Sequence, residues 1–273
     1  MAVRVLSGAV LVALLVVTIW YLPWWATLAL ATLFAAIGGA ELAGLAQRVG
    51  ADVPASWVAI ASSAACLGFG LSEAAYFNEF ILGNLFATVM LTVLVAAGAL
   101  TLGSTLPGPQ AFGRPAAVVL GAVYVGAPLG VAAWLREGLG PGTLTWLIVV
   151  ISLSDSAQYF VGRAFGRRKL SPIVSPGKTV EGAVGGLLAA IVAGAWLAPL
   201  ILPLPLHDRF MMAGIAGMLA LAGMVGDLFE SLLKRSAGAK DSSTLIPGHG
   251  GVLDRVDAYL LVLPMFYLLL RWL

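Results

Sequence analysis

Charge, cysteine and histidine are all scarce in this chain. Its 273 residues hold 15 basic and 13 acidic side chains, two histidines and one cysteine, while 60% are apolar and mean hydropathy is +1.00. So few polar groups cannot cover the surface of a soluble globule, which leaves an integral membrane protein. The single cysteine, Cys66, excludes an intrachain disulfide and a thiolate metal cluster, and reads as a small buried core residue. Water-soluble domains are missing too: the longest polar connections, about 163–181 and 234–251, leave function to the membrane-embedded body. The net charge of +2 says little by itself, and no nucleic-acid partner is expected.

What is abundant is apolar sequence, in runs of about 18 to 25 residues that match a hydrocarbon core of about 30 Å at roughly 1.5 Å rise per helical residue. The runs predict nine spans, approximately 5–22, 24–46, 56–73, 82–102, 115–135, 141–162, 182–204, 209–233 and 252–272. The expected fold is therefore all-α, a polytopic membrane protein of about nine transmembrane helices. The aromatic "YLPWW" after the first run is unlike a signal-peptidase site, so that span is expected to be retained. If the loop around residue 170 is cytoplasmic, alternation puts 12 of the 15 cations inside and leaves only Arg136, Arg209 and Arg271 outside. That bias predicts a cytoplasmic N-terminus and an external C-terminus.

More than half of all charged side chains fall in two stretches, Asp155 to Glu181 and Asp227 to Asp257. An ionised group at a span end costs at least about 2.5 kcal/mol unless it meets a wet cavity or a partner, so the two stretches are expected to share a cavity. Asp254 and Asp257 lie three apart at the start of the last span, as do Asp227 and Glu230 near the end of the eighth, which puts each pair on one helix face. Oxygen-only ligands of this kind suit Mg²⁺. The competing reading is simple neutralisation by Lys234, Arg235 and Arg255.

Between these carboxylates, "PGHGG", Pro247 to Gly251, can bring backbone N–H groups close to a phosphate, with Lys240 and Arg255 to hold its charge. His249 either contacts a phosphate or braces the loop. His207, beside Asp208, reads as a surface residue. Upstream, "SPGKTVEGAVGG" offers Ser175, Lys178 and Thr179 before a helix start near Glu181, where the helix dipole favours an anion. The competing reading is a capped helix start beside a basic cluster. Its glycine spacing excludes a Walker A loop. Gly182 and Gly186, at GxxxG spacing, are read as helix packing.

Residues 231–257, with "LLKR", Lys240-Asp241, Ile246-Pro247, "HGG" and "DRVD", resemble throughout the signature of the phosphatidate cytidylyltransferase family. The upstream "SDSAQYFVGRAFGRRKLSPIVSPGKTVEGAVGG" is similar to the family's second block, departing from it at Gln158 and Val180. The resemblance is specific over 154–257. It implies transfer of a cytidylyl group from CTP to phosphatidic acid, with Mg²⁺ and room for a second cation, in a homodimer of the inner (plasma) membrane whose active site faces the cytoplasm. By role, Asp227, Asp254 and Asp257 are expected to hold metal; Lys178, Lys240, His249 and Arg255 to act on the phosphates; and Ser175, Thr179, Arg235, Gly250 and Gly251 to bind substrate. Asp155 and Asp241 would orient cations or ligate metal. Residues 136–273 would form the catalytic region and 1–135 a scaffold that contributes lipid entry or dimer contacts. A CTP-dependent lipid kinase and a transporter are the other classes weighed.

Overall fold

The computed structural model describes residues 2–72, 85–203, 206 and 208–272, with side chains from Leu6 onward. His207 lies outside the described residues. The elements run α1 (Ala2–Trp20), α2 (Trp24–Arg48), α3 (Ala55–Ser72), α4 (Leu85–Ser104), α5 (Gln110–Leu120), a π-helical turn (Gly121–Gly126), α6 (Ala127–Gly138), α7 (Pro141–Phe165), β1 (Lys169–Ser171), β2 (Ser175–Thr179), α8 (Val180–Ile201), α9 (Arg209–Ser236) and α10 (Leu253–Arg271). Proline marks several starts: Pro23 and Pro54 directly precede α2 and α3, and Pro141 opens α7 after Gly140 at φ 82°.

Among the described residues, seven helices are long and apolar enough to cross a membrane: α2, α3, α4, the continuous Gln110–Gly138 helix, α7, α8 and α9. Helix α1 contributes a shorter apolar stretch, Leu6–Trp20. The last helix, α10, falls outside the seven, and carries Asp254, Arg255, Asp257 and Arg271 within its 19 residues. Large apolar side chains point outward from the helices, as at Leu91, Leu94 and Val95 on α4 and Val184, Leu188 and Trp196 on α8. Such faces need lipid rather than water against them.

The chain packs as two units, Met1–Gly138 with Leu233–Val256, and Leu139–Leu232 with Asp257–Leu273. In the first, α3 lies against α2, the π-turn and α6. A side chain at Gly126 would strike the Ser62 carbonyl, and one at Gly130 would come within 2.6 Å of the Cys66 carbonyl, so glycine is what permits this close approach. Cys66 is fully buried, as its plain reading has it.

In the second unit α7 and α8 form a tight hairpin. Gly182, Gly186, Ala190, Gly194 and Ala198 make a buried small-residue stripe along α8, and the Ser154 hydroxyl donates to the Gly186 carbonyl at 3.1 Å. The GxxxG pair is thus helix packing, as read. Trp146 of α7 donates its Nε1–H to the Gly194 carbonyl at 3.3 Å and packs on Phe266 of α10, ring centroids 5.6 Å apart. The polar connection expected at 163–181 carries regular structure of its own: α7 runs on to Phe165, and β1 pairs antiparallel with β2 as a small addition to the helices. Glu181 closes this hairpin by accepting from the backbone N–H groups of Arg167, at 3.0 Å, and Arg168.

Candidate active site

Loop 237–252 of the first unit is shaped by turns that its glycines make possible. Gly238, Gly248 and Gly250 have φ of 64°, 78° and 79°, a region that side chains disfavour. Ile246 N–H donates to the Gly250 carbonyl at 2.8 Å and His249 N–H to the Ile246 carbonyl at 2.9 Å, which folds "IPGHG" back on itself. The result is a cavity of about 340 Å³ lined by Lys240, Asp241, Ser243, Thr244, Ile246, Gly248, His249, Gly250 and Arg255. Two cations and a histidine in a small polar cavity suit an anion.

Two buried carboxylates hold the loop from behind. Asp254, at the start of α10, accepts on Oδ1 from Lys234 Nζ at 2.6 Å. Its Oδ2 takes Ser242 N–H at 2.9 Å, the Ser242 hydroxyl at 2.7 Å and Gly251 N–H at 2.8 Å. The Asp254 side chain is 4% exposed and that of Lys234 12%. Glu41, from α2, is the second: Oε1 accepts from the Ser243 hydroxyl at 2.6 Å and Val252 N–H at 3.0 Å, and Oε2 from Leu253 N–H at 2.7 Å and the Ser242 hydroxyl at 3.1 Å. Both sit at the N-terminal end of α10, where the helix dipole favours negative charge.

The second unit carries another charged group. Lys178 of β2 forms an ion pair with Asp227 of α9, and Asp155 of α7 lies within electrostatic reach of both. Ser231 donates to Asp227 at 3.4 Å and Gln158 to Asp155 at 3.1 Å. Oxygen donors beside a cation are what a phosphate and divalent-metal centre needs.

Comparison with known proteins meets the chain at this point. The profile of the cytidylyltransferase family matches residues 2–273. The chain belongs to the cytidylyltransferase family. It is similar to a phosphatidate cytidylyltransferase of Bacillus subtilis, 41% identical over 155 residues, which is 56% of this chain and 57% of that protein. It also resembles an uncharacterised Escherichia coli protein, YnbB, 36% identical over 204 residues, 72% of this chain and 66% of that one. A phosphatidate cytidylyltransferase of Brucella suis is 38% identical over 195 residues, 67% of this chain and 70% of that protein. The matched stretch thus spans less than two thirds of the first two relatives.

Against this cytidylyltransferase framework the expected residues divide. Lys240, His249, Gly250 and Arg255 line the cavity together, and so does Asp241. Gly251 does not present its N–H there, because that group donates to Asp254. Arg235 donates to the Ala239 carbonyl at 3.3 Å, closing the C-terminal end of α9. Thr179 caps α8 by accepting from Gly182 N–H at 3.1 Å and is buried, so the capped-helix reading describes it. Ser175 sits on β2, two strand positions from Gly177. Asp227 and Glu230 share a helix face in spacing only: Glu230 is fully buried, whereas the Asp227 side chain is 33% exposed. Asp257 accepts from its neighbour Ala258 N–H at 2.8 Å. Neutralisation of Asp254 falls to Lys234 rather than Arg255. His249 is braced through Nδ1 by the Ser7 hydroxyl at 2.8 Å while lining the cavity, which joins its two readings.

Sequence reasoning missed Glu41 and Ser242. The signal for the first was present, a lone carboxylate in the interior of a 25-residue apolar helix whose other charge is the terminal Arg48. Ser242 gave none, being one serine of a polar loop.

Proposed function

We propose that this chain transfers the cytidylyl group of CTP to phosphatidic acid, forming CDP-diacylglycerol and pyrophosphate. Supporting it most directly is the polar cavity walled by Lys240, Arg255 and His249 within a member of the cytidylyltransferase family that carries several membrane-length helices. A lipid phosphate oxygen attacks the α-phosphorus of CTP, a P–O bond forms to it, and the bond to the β-phosphate oxygen breaks to release pyrophosphate. No protein nucleophile is required. Lys240 and Arg255 bind the phosphates and hold the charge that builds on the departing pyrophosphate. His249, braced through Nδ1 by Ser7, lines the cavity beside these two cations. In the other unit Lys178 and Ser175 offer a cation and a hydroxyl of the same anion-binding kind.

A divalent cation fits part of the donor set. Among the described residues no group of three or more histidine, cysteine, aspartate or glutamate side chains stands ready to hold one. Asp227 already accepts one cation, Lys178, and lies within electrostatic reach of Asp155, so these two are the carboxylates that would hold Mg²⁺, a cation that commonly takes one or two, and Asp257 does not join them as a third. Asp254 reaches a metal only by giving up Lys234, which occupies Oδ1. When bound, Mg²⁺ supplies charge stabilisation on the transferring phosphates.

We assign the chain to the plasma membrane as about nine spans, with loop 234–251 facing the cytoplasm on the strength of the 12 to 3 division of cations. A homodimer follows from the family resemblance. The deciding experiment incubates purified protein with Mg²⁺, phosphatidic acid and CTP labelled at either the α- or the γ-phosphate. Label entering lipid from the α position alone is the expected result. Entry from the γ position makes the protein a lipid kinase, and no entry from either refutes both.

A further inference from the structure

The N-terminal helices reach the cavity loop through two side chains, Ser7 of α1 at Pro247 and His249, and Glu41 of α2 at residues 242–253. Glu41 is 8% exposed, and its two oxygens take four donors, all from residues 242–253, some 200 positions away in the chain. Two of these are the N–H groups of Val252 and Leu253, which open α10 and would otherwise lack an intrahelical acceptor. The other two are the hydroxyls of Ser242 and Ser243. Ser242 stands within hydrogen-bond distance of both Glu41 Oε2 and Asp254 Oδ2, yet has a single hydroxyl proton to give. It serves one carboxylate at a time, so Glu41 and Asp254 are coupled through it. Space around the pair is fully used: a side chain at Gly251 would collide with Ser242 Oγ and Glu41 Oε1. Ser243 and Arg255, two residues that line the cavity, are thereby fixed from both ends of the loop, Ser243 by its own bond to Glu41 and Arg255 through the first turn of α10.

We propose that Glu41 is a positioning residue of the nucleotide cavity, a buried carboxylate on α2 that sets the loop 242–253 and through it the cations that meet the CTP phosphates. This rests on the function proposed above. Glu41 touches no substrate. Its removal therefore loosens the cavity rather than deleting a reacting group, and the loss falls on binding of CTP.

The test compares Glu41→Gln and Glu41→Ala with the wild type, each whole and reconstituted in lipid nanodiscs, by amide hydrogen exchange and by steady-state kinetics. In both variants exchange at residues 251–253 is expected to accelerate about tenfold or more, while α7 and α8 keep wild-type protection. In Glu41→Gln the KM for CTP rises about tenfold, the KM for phosphatidic acid stays put and kcat falls less than about threefold. A residue that merely supports the fold would lower the active fraction and leave KM alone. Unchanged exchange at 251–253, or faster exchange there with KM for CTP unaltered, overturns the proposal. So does Glu41→Gln exchanging faster throughout, since the isosteric variant would then mark a general stability residue. Wild-type protein that transfers no label from CTP refutes the proposed activity instead, and the exchange comparison then decides by itself whether Glu41 orders the loop.

Discussion

Replacing Asp254 by asparagine perturbs one atom of known surroundings. Three donors, Ser242 N–H, the Ser242 hydroxyl and Gly251 N–H, converge on Oδ2, and only an oxygen satisfies them. The new amide nitrogen must therefore take the place of Oδ1, with its hydrogens facing the Lys234 ammonium that Oδ1 accepted at 2.6 Å. A hydrogen bond between charged groups is worth about 1.5–3 kcal/mol, and breaking a buried pair about 3–5 kcal/mol. With side chains 12% and 4% exposed this pair is close to the buried limit, so a loss of about 3 kcal/mol is expected. For a protein of this size that lowers the thermal midpoint by roughly 6–12 °C.

Turnover is expected to fall as well, by about tenfold in kcat/KM, because this carboxylate holds Ser242 and Gly251 of the loop that carries Lys240 and His249. The informative control is Lys234→Met with Asp254→Asn, because Lys234 is the partner the fold provides. The double variant is expected to regain roughly 2 kcal/mol relative to the sum of the single changes, as contacting charges do in double-mutant cycles, without regaining turnover. Thermal unfolding followed by detergent-resolved gel filtration gives the stability. Lipid-dependent pyrophosphate release across a Mg²⁺ titration gives the rate. A wild-type midpoint in Asp254→Asn would refute the buried-pair argument, and full turnover in the double variant would show that Asp254 serves only to neutralise Lys234.

Asp227→Asn is expected to keep the fold, since its ion pair with Lys178 is partly solvent-exposed, while lowering kcat/KM about a hundredfold and raising the Mg²⁺ concentration for half-maximal rate; an unchanged Mg²⁺ titration removes Asp227 from the metal centre. Gly251→Ala forces its Cβ against Ser242 and Glu41, so kcat/KM should fall about tenfold or more. Gly214→Ala, with nothing within 4 Å of the added carbon, is the matched control and should behave as wild type. In the proposed topology Leu245→Cys reacts with an impermeant thiol reagent only from the cytoplasmic side and Trp272→Cys only from outside, against a native Cys66 shielded by burial; the opposite pattern reverses the orientation.

Helices were legible in the sequence because membrane thickness imposes a run length that composition alone reveals. The expected span 24–46 meets α2 at Trp24–Arg48, and 56–73 meets α3 at Ala55–Ser72, with ends displaced by a residue or two. Larger departures have physical causes. The span expected to begin at 115 begins at Gln110, because Arg114 need not end a helix when its guanidinium reaches the Asp52 carboxylate at 2.6 Å and the Ser104 hydroxyl at 2.9 Å. The π-helical turn inside that same helix follows from how Gly121 and Gly126 meet α3, a contact that no single-helix periodicity contains.

The candidate site was legible only where chemistry is local. Lys240, His249 and Arg255 stand within 16 positions of one another, and the turns that gather them are written in glycine and proline, so spacing alone brought them together. Thr179 carried two meanings at once, phosphate donor or helix cap, and its φ of −127° with Gly182 N–H on its hydroxyl oxygen shows the cap, which leaves the hydroxyl proton to donate. Glu41 required a different inference. An ionised group inside an apolar helix demands compensation, but sequence states only the demand, not which segment answers it. The answer is two serines and two amides at the far end of the chain, and this changes what the N-terminal half is for. Residues 233–256 pack with Met1–Gly138 as one unit, so a half of the chain with few polar groups of its own acts on the cavity through the buried Glu41 carboxylate, beside the bond of Ser7 to His249. Low polarity makes that carboxylate more decisive, because a low-dielectric surround strengthens each hydrogen bond it accepts.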